Sequence, residues 1–182
     1  MNTEKYAPQG DSEPVEVVDG HGRLLAVVSA AEAHRQSLPH RAALVLFYSG
    51  SGKLVLARRP AVSPSYPGRF DLTARGHVRP GEAAQDAATR LAESAFPGLA
   101  GAPAFHRLLP PTNGTGFEAV AIFRCRLQTE PGHAAGSGGA VTPDTLEIGS
   151  EELAALAVDF RELFAPGVIA AFERGTLFGD GV

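Results

Sequence analysis

The chain has 182 residues, of which 44% are hydrophobic, and 16 Lys and Arg stand against 20 Asp and Glu, for a formal net charge of −4. This composition excludes a disordered chain and lacks the basic excess of most nucleic-acid-binding proteins. The single cysteine excludes an intramolecular disulfide and a cysteine zinc site, and no apolar run has the length of a membrane span or the position of a signal peptide. We therefore expect a cytoplasmic protein with a flexible tail at residues 1–13 and a single domain at residues 14–182.

Strands are predicted where short apolar runs are bounded by turn residues. Asp19-Gly20 separates the first two runs and predicts a hairpin, because this dipeptide supplies the positive φ of a tight turn. A short helix is expected at residues 30–35. The predicted strands of this half are residues 15–18, 24–28, 42–48, 54–57 and 70–74.

The clearest helix prediction covers residues 82–95. Alanine and leucine recur there with the i, i+3, i+4 spacing of one buried face, and Pro97-Gly98 ends the segment. The later predicted elements are strands at 105–109 and 117–127, a Gly-rich loop at 129–143, and helices at 150–157 and 166–174. This order predicts an α/β fold with helices flanking a mixed β-sheet.

The most informative motif begins at Gly76. Gly76, Glu82 and Arg90 fit the opening of the Nudix signature, G-x5-E-x7-R-E-U-x-E-E-x-G-U, in which U is a bulky aliphatic residue. The chain therefore resembles the Nudix superfamily, and it resembles most the subgroup that includes isopentenyl diphosphate isomerase. The motifs that carry this second resemblance are Val18-Asp19-Gly20, His40-Arg41, Gly52-Lys53-Leu54, Arg58-Arg59, Tyr66-Pro67-Gly68, Phe70-Asp71, Gly76-His77-Val78 and Pro80-Gly81-Glu82. The resemblance implies a Nudix-like α/β/α sandwich around a mixed β-sheet.

The Nudix resemblance also implies a magnesium site on the helix. Carboxylates one, four and five residues after the arginine share a helix face and hold Mg²⁺ beside a diphosphate. Here these positions are Leu91, Ser94 and Ala95, and none is a carboxylate. We therefore expect no tight Mg²⁺ site of the ordinary Nudix kind on this helix.

Two carboxylates remain as catalytic candidates, Glu82 and Glu118. Glu82 lies eight residues before Arg90, so an ion pair that supports the join of loop and helix is the alternative to a catalytic role. By the resemblance, Glu118 matches a position where isomerase-like proteins carry a metal-binding glutamate. The alternative for Glu118 is a solvated carboxylate at a strand edge.

The same resemblance places His34, His40 and His77 where the diphosphate isomerases carry metal-binding histidines. We take His40, His77 and Glu118 as candidate ligands, since imidazole and carboxylate together suit a transition ion. Hydrogen-bonded structural histidines are the alternative. Arg75 stands where the isomerases carry an acid/base cysteine, and we therefore expect no isomerase activity.

Four residues are candidates for binding a substrate diphosphate: Arg58, Arg59, Arg75 and Gly76. The forked guanidinium group suits diphosphate oxygens, although solvated arginines at a strand edge are the alternative.

Two classes of function stay open. The first is a Nudix-type hydrolase that cuts a nucleoside diphosphate linked to another moiety and uses Mg²⁺ or Mn²⁺ held by a rearranged set of ligands. The second is a catalytically inactive Nudix-fold module that binds a nucleotide or a protein partner. The net charge argues against nucleic acid as the ligand, and the sequence leaves a homodimer open.

Overall fold

The computed structural model describes residues 12–127 and 144–179. The loop predicted at 129–143 and residues 1–11 of the predicted tail lie outside the described residues. The described part of the chain forms two compact units. Residues 12–45, 74–94 and 103–124 form the first, and residues 46–73, 95–102, 125–127 and 144–179 form the second.

The elements follow the predicted order of strands, one helix, strands and final helices. The strands are β1 (Pro14–Val18), β2 (Leu24–Ser29), β3 (His40–Tyr48), β4 (Leu54–Arg58), β5 (Phe70–Leu72), β6 (Ala74–His77), β7 (Ala104–Leu109), β8 (Glu118–Arg126) and β9 (Thr145–Ile148). The helices are α1 (Ala30–Arg35), α2 (Ala84–Ala95), α3 (Ser150–Asp159) and α4 (Pro166–Glu173), with 3₁₀ turns at Asn113–Thr115 and Arg161–Leu163. No described helix combines the length and apolarity that crossing a bilayer requires.

The hairpin of β1 and β2 confirms the first prediction but differs in its turn. The strands pair antiparallel from Pro14↔Ser29 to Val18↔Leu24. The positive φ of the turn lies at Gly22 (φ 77°), not at Gly20. The Asp19 carboxylate accepts the backbone N–H groups of His21 and Arg23, each at 2.9 Å, and this local bonding sets the shape of the turn.

Strand β3 organises the first unit. Strand β6 pairs antiparallel with it from Ala42↔His77 to Val45↔Ala74. At the start of β3 the N–H of His40 donates to the carbonyl of Phe117, the residue before β8. At the other end of the two strands the N–H of Leu127 donates to the carbonyl of Tyr48, so β3 and β8 run parallel and the sheet is mixed. This register brings the start of β3, the end of β6 and the start of β8 together.

Helix α2 begins two residues later than predicted. Gly81 has a φ of 76°, and Glu82 belongs to the connecting segment rather than to the helix. The buried residues of the helix are Ala87, Ala88 and Ala92. Their small side chains let the helix backbone approach the surface that it covers.

Apart from small shifts at strand ends, the structure departs from the predicted strands in two places. The segment predicted as one strand at 70–74 divides, because β5 pairs with β4 whereas β6 pairs with β3. Strand β9, which was not predicted, pairs with β4 from Leu54↔Ile148 to Ala57↔Thr145. Cys125 is buried near the end of β8, and burial raises the pKa of its thiol.

Within the second unit, a buried hydrogen bond joins Tyr48, at the end of β3, to the C-terminal segment. The hydroxyl of Tyr48, which is 2% exposed, donates to the carbonyl of Leu177 at 2.5 Å. Residues 129 positions apart in the sequence are joined by this bond. Because Tyr48 is buried, this hydrogen bond is shielded from water.

Replacement of Tyr48 by Phe is expected to lower the free energy of unfolding by about 1–3 kcal/mol, because the buried carbonyl of Leu177 loses a donor. Urea unfolding measures the change. Tyr66→Phe is the matched control, since the Tyr66 side chain is 46% exposed and its hydroxyl can bind water. Equal unfolding free energies for the parent and Tyr48→Phe would contradict a stabilising role for this bond.

Candidate metal centre

Three imidazoles and one carboxylate meet at the strand ends of the first unit. They belong to His34 of α1, His40 at the start of β3, His77 at the end of β6 and Glu118 at the start of β8. One potential ligand atom from each residue lies within 4.8 Å of the others. The structure thus brings together the three candidate ligands His40, His77 and Glu118, together with His34, the other histidine that the resemblance pointed to.

His40 is held as a neutral imidazole with one nitrogen facing the cluster. Its Nδ1 lies 2.8 Å from the carbonyl oxygen of Leu38, and since a carbonyl only accepts, Nδ1 carries the proton. Burial lowers the pKa of His40, against the opposing effect of that hydrogen bond. The ring is fully buried, and Nε2 has no hydrogen-bond partner among the described residues. The lone pair of Nε2 is therefore the group that a bound cation would use.

The ring of His77 lies between two carboxylates, with Glu13 at Nδ1 and Glu118 at Nε2. Its Nδ1 lies 3.2 Å from Oε2 of Glu13, and its Nε2 lies 3.7 Å from Oε1 of Glu118. A carboxylate partner on Nδ1 favours the tautomer in which Nε2 can act as a ligand. The sequence gives no signal of this contact, because Glu13 is a single carboxylate in the aperiodic segment that was predicted as the tail.

Glu118 is shared between the imidazoles and an arginine. Its Oε1 lies 3.9 Å from Nε2 of His40, and its Oε2 accepts a hydrogen bond from the guanidinium of Arg75. Only 7% of Glu118 is exposed, so the alternative of a solvated strand-edge carboxylate is wrong. A buried carboxylate needs a charged or hydrogen-bonding partner, and Arg75 supplies the positive one.

His34 completes the cluster from a short helix. Ser29 caps α1 by accepting the N–H of Glu32 at 3.2 Å, and the helix contacts β1 and β2. The ring of His34 lies 4.8 Å from that of His40 and 5.4 Å from that of His77, measured between centroids. His34 is exposed, so the cluster is accessible from its side.

The chemistry of this donor set fits a transition ion. Imidazole nitrogens bind Zn²⁺, Fe²⁺ and related ions, and one carboxylate is a common companion. Tetrahedral bonds of about 2.05 Å place ligand atoms about 3.4 Å apart. The two distances from Glu118 Oε1, 3.7 and 3.9 Å, are close to that separation. Small side-chain movements would therefore suffice for coordination.

The carboxylate of Glu82 is fully engaged by the polypeptide. Arg90 donates to both of its oxygens, at 2.9 and 2.8 Å, and the backbone N–H of Arg79 donates to Oε2 at 2.9 Å. The hydrogen bonds from Arg90 are the main reason that the pKa of Glu82 is lowered. Arg90 also donates to the carbonyl of His77 at 3.1 Å. This ion pair links helix α2 to the strand that carries a cluster histidine.

A second ion pair, which no sequence pattern predicted, holds the segment before α2. Glu16 is 8% exposed, and its two oxygens accept the backbone N–H of Gly81 and the guanidinium of Arg41, both at 2.8 Å. Arg41 donates in turn to the carbonyl of Glu82 at 3.1 Å. In the sequence Glu16 stands as an ordinary polar position of a hairpin, and only the long-range contacts reveal its role.

The candidate substrate-binding residues have different environments. The guanidinium of Arg59 contacts the Asp71 carboxylate at 2.7 Å and the hydroxyl of Ser63 in the loop after β4. Arg58 is exposed, and its guanidinium lies 4.5 Å from the centre of the Phe70 ring. Both belong to the second unit. Arg75 and Gly76 lie on β6 of the first unit, where Gly76 pairs with Ala43.

Glu82→Gln is expected to lower the free energy of unfolding by about 1–3 kcal/mol at pH 7, because Arg90 loses its ionised partner. A carboxylate with a lowered pKa stabilises the fold fully above its ordinary pKa of 4.5 and loses that contribution as the pH falls below it. The difference between parent and variant in urea unfolding should therefore shrink on acidification. Glu151→Gln, at an exposed position of α3, is the control. Unchanged stability with lost turnover would instead assign Glu82 a catalytic role.

Comparison with known proteins shows which proteins this chain is similar to. A family model described as the NUDIX domain matches residues 38–94. An uncharacterized Nudix hydrolase of Yersinia pestis is 35% identical over 96 residues, which is 53% of this chain and 52% of that protein. An isopentenyl-diphosphate Delta-isomerase of Nocardia farcinica is 44% identical over 82 residues, 44% of this chain and 47% of that protein. The chain thus spans about half the length of the curated relatives that it matches.

Solved structures share the fold at low sequence identity. DR0079 of Deinococcus radiodurans matches with a TM-score of 0.65 and 16% identity, over 89% of this chain and 98% of that one. A MutT protein of Methanosarcina mazei matches with a TM-score of 0.50 and 16% identity, over 73% and 89% of the two chains. Residues 38–94 thus match the NUDIX domain, and the chain has the Nudix fold.

Proposed function

We propose that this protein is a Nudix hydrolase that acts on a nucleoside diphosphate linked to another moiety and holds its divalent metal in the histidine–glutamate cluster. The observation that carries the proposal is the fully buried Nε2 of His40, which has no hydrogen-bond partner among the described residues and lies beside Glu118. An unpartnered buried polar atom is costly unless a ligand uses it. The separate match of residues 38–94 to the NUDIX domain supports a substrate of the diphosphate class.

The proposed site replaces the ordinary magnesium site on helix α2. Leu91 and Ala95 are half-buried and Ser94 is exposed, and none of the three offers a carboxylate. A hard cation such as Mg²⁺ needs several oxygen ligands with negative charge. The cluster offers mainly nitrogen, so we infer a preference for Mn²⁺ or Zn²⁺ over Mg²⁺.

The residues of the cluster would divide the work of hydrolysis. His34, His40, His77 and Glu118 would hold the metal, which offsets diphosphate charge and activates water for attack. Arg75 would bind phosphate oxygens at the edge of the site, with the backbone of Gly76 beside it. Glu82 would keep the segment before α2 in place through Arg90 rather than take up a proton.

The isomerisation named for the Nocardia farcinica relative is not part of the proposal. Arg75 stands where that reaction's acid/base cysteine is expected, and a guanidinium keeps its proton at every physiological pH. The second candidate function is an inactive module that binds a nucleotide or a protein partner. The residues at positions 91, 94 and 95 are the observation that favours it.

Metal titration followed by a turnover screen tests the proposal. We expect a flat calorimetric response to Mg²⁺, binding of Mn²⁺ or Zn²⁺, and at least tenfold weaker binding in His40→Ala, because one of four ligands is lost. His21→Ala is the control, since His21 is an exposed histidine in the hairpin turn. The same proteins are then tested for release of phosphate or nucleotide from nucleoside diphosphate derivatives.

Turnover with Mn²⁺ that falls in His40→Ala supports the hydrolase. Metal binding without turnover of any compound contradicts it and favours the inactive module. A strong response to Mg²⁺ that survives both His40→Ala and Glu118→Gln would rule out the cluster as the metal site.

The proposal also separates the two arginines at the end of β4. Arg58→Ala is expected to weaken nucleoside diphosphate binding about ten- to a hundredfold, the equivalent of a charge-assisted contact of about 1.5–3 kcal/mol, with little change in stability. Arg59→Ala is expected to lower stability, because Asp71 loses its partner. Ligand titration and urea unfolding of both variants measure the two effects. Parent-like ligand binding in Arg58→Ala would contradict a ligand-binding role for this residue.

A further inference from the structure

We propose that Arg75 couples metal binding to diphosphate binding, because its guanidinium and the metal compete for Glu118 until a phosphate group takes the guanidinium away. This inference rests on the metal site of the proposed function. It adds a prediction about affinity. The cation should bind weakly when it is alone and strongly when a diphosphate is bound beside it.

The competition follows from the contacts of one carboxylate. Oε2 of Glu118 accepts the hydrogen bond from Arg75, while Oε1 faces His40 and His77 at 3.9 and 3.7 Å. The Glu118 side chain is only 9% exposed, so water screens it little. A guanidinium and a divalent cation would then share a single buried negative charge, and their mutual repulsion opposes binding of the metal.

A second carboxylate does not remove this conflict. Glu13 lies on the far side of His77, at Nδ1, and its charge also acts on Arg90. It is therefore a partner of the imidazole rather than a second charge at the ligand atoms. Glu118 remains the one carboxylate among the four clustered ligand residues.

The Arg75 side chain is open enough to solvent for an anion to reach it. Its side chain is 49% exposed, and it alternates on β6 with the buried residues Ala74 and Gly76. The planar guanidinium binds phosphate oxygens through two parallel hydrogen bonds. A diphosphate beside the metal would offer such oxygens, and its negative charge would offset both cations. Transfer of Arg75 to the phosphate then frees Oε2 of Glu118 without leaving a buried charge unpaired.

The coupling must act in both directions. If the diphosphate strengthens metal binding by some factor, the metal strengthens diphosphate binding by the same factor. Removal of the guanidinium charge should therefore have two opposite effects. The metal alone should bind more tightly, and the enhancement by a diphosphate should decrease.

The experiment measures Mn²⁺ affinity by calorimetry with and without methylenediphosphonate, a diphosphate analogue that cannot be hydrolysed at its bridge. Complexes of Mn²⁺ with the analogue in solution are the same for every protein, so the ratio between proteins is unaffected by them. We expect Arg75→Gln to bind Mn²⁺ alone at least tenfold more tightly than the parent and to lose at least tenfold of the enhancement. Arg75→Lys keeps the positive charge and should therefore retain most of the enhancement by the analogue.

Arg79→Gln is the control, since Arg79 is an exposed arginine whose hydrogen bonds to Glu82 are made by its backbone N–H and carbonyl. It should behave as the parent does. Parent-like affinity and enhancement in Arg75→Gln, in a protein whose Mn²⁺ binding still depends on His40, would overturn the coupling and leave the metal site standing. Absence of Mn²⁺ binding in every protein, with or without the analogue, would overturn the metal site and the coupling together.

Discussion

The register of strand β3 is the constraint on which the candidate site depends. Pairing of Ala42 with His77 and the bond from His40 to the carbonyl of Phe117 fix where three chain segments meet. Side chains alternate along a strand, so a slip of one residue in either pairing would turn a cluster residue to the opposite face of the sheet. The buried apolar residues of β3 oppose such a slip, because they would lose their places in the core. Core packing and the geometry of the site are thus set by the same strand.

Ion pairs then connect this strand to its surroundings within the first unit. Glu16 and Arg41 hold the segment at Gly81, and Glu82 and Arg90 hold the start of α2 against the carbonyl of His77. In each pair the carboxylate is largely buried and every oxygen has a donor, which is the condition under which such charges stabilise a fold. Glu118 differs, because its partners are one arginine and imidazoles at longer distance.

Much of the fold could be predicted because burial leaves a pattern in the sequence. The apolar runs of β3 and β4 and the alanine face of α2 gave correct elements, with boundaries displaced by one or two residues. Strand β9 was missed because four residues next to a low-complexity stretch carry too little periodicity, and the division at Thr73 depends on which neighbour each half pairs with. The same limit applies to the site. His40, His77 and Glu118 came from family motifs, whereas Glu13 and Glu16 act through contacts with residues far along the chain, which no local pattern records.

The burial of Cys125 has a practical consequence for how the protein can be studied. It is the single cysteine of the chain, and its raised pKa keeps the thiol protonated and therefore slow to react with alkylating or oxidising reagents. A cysteine introduced at a solvent-exposed position would then be the preferred site for a spin label or a fluorophore, with no need to remove the native thiol. The native protein serves as the background for distance measurements between such labels and a paramagnetic ion.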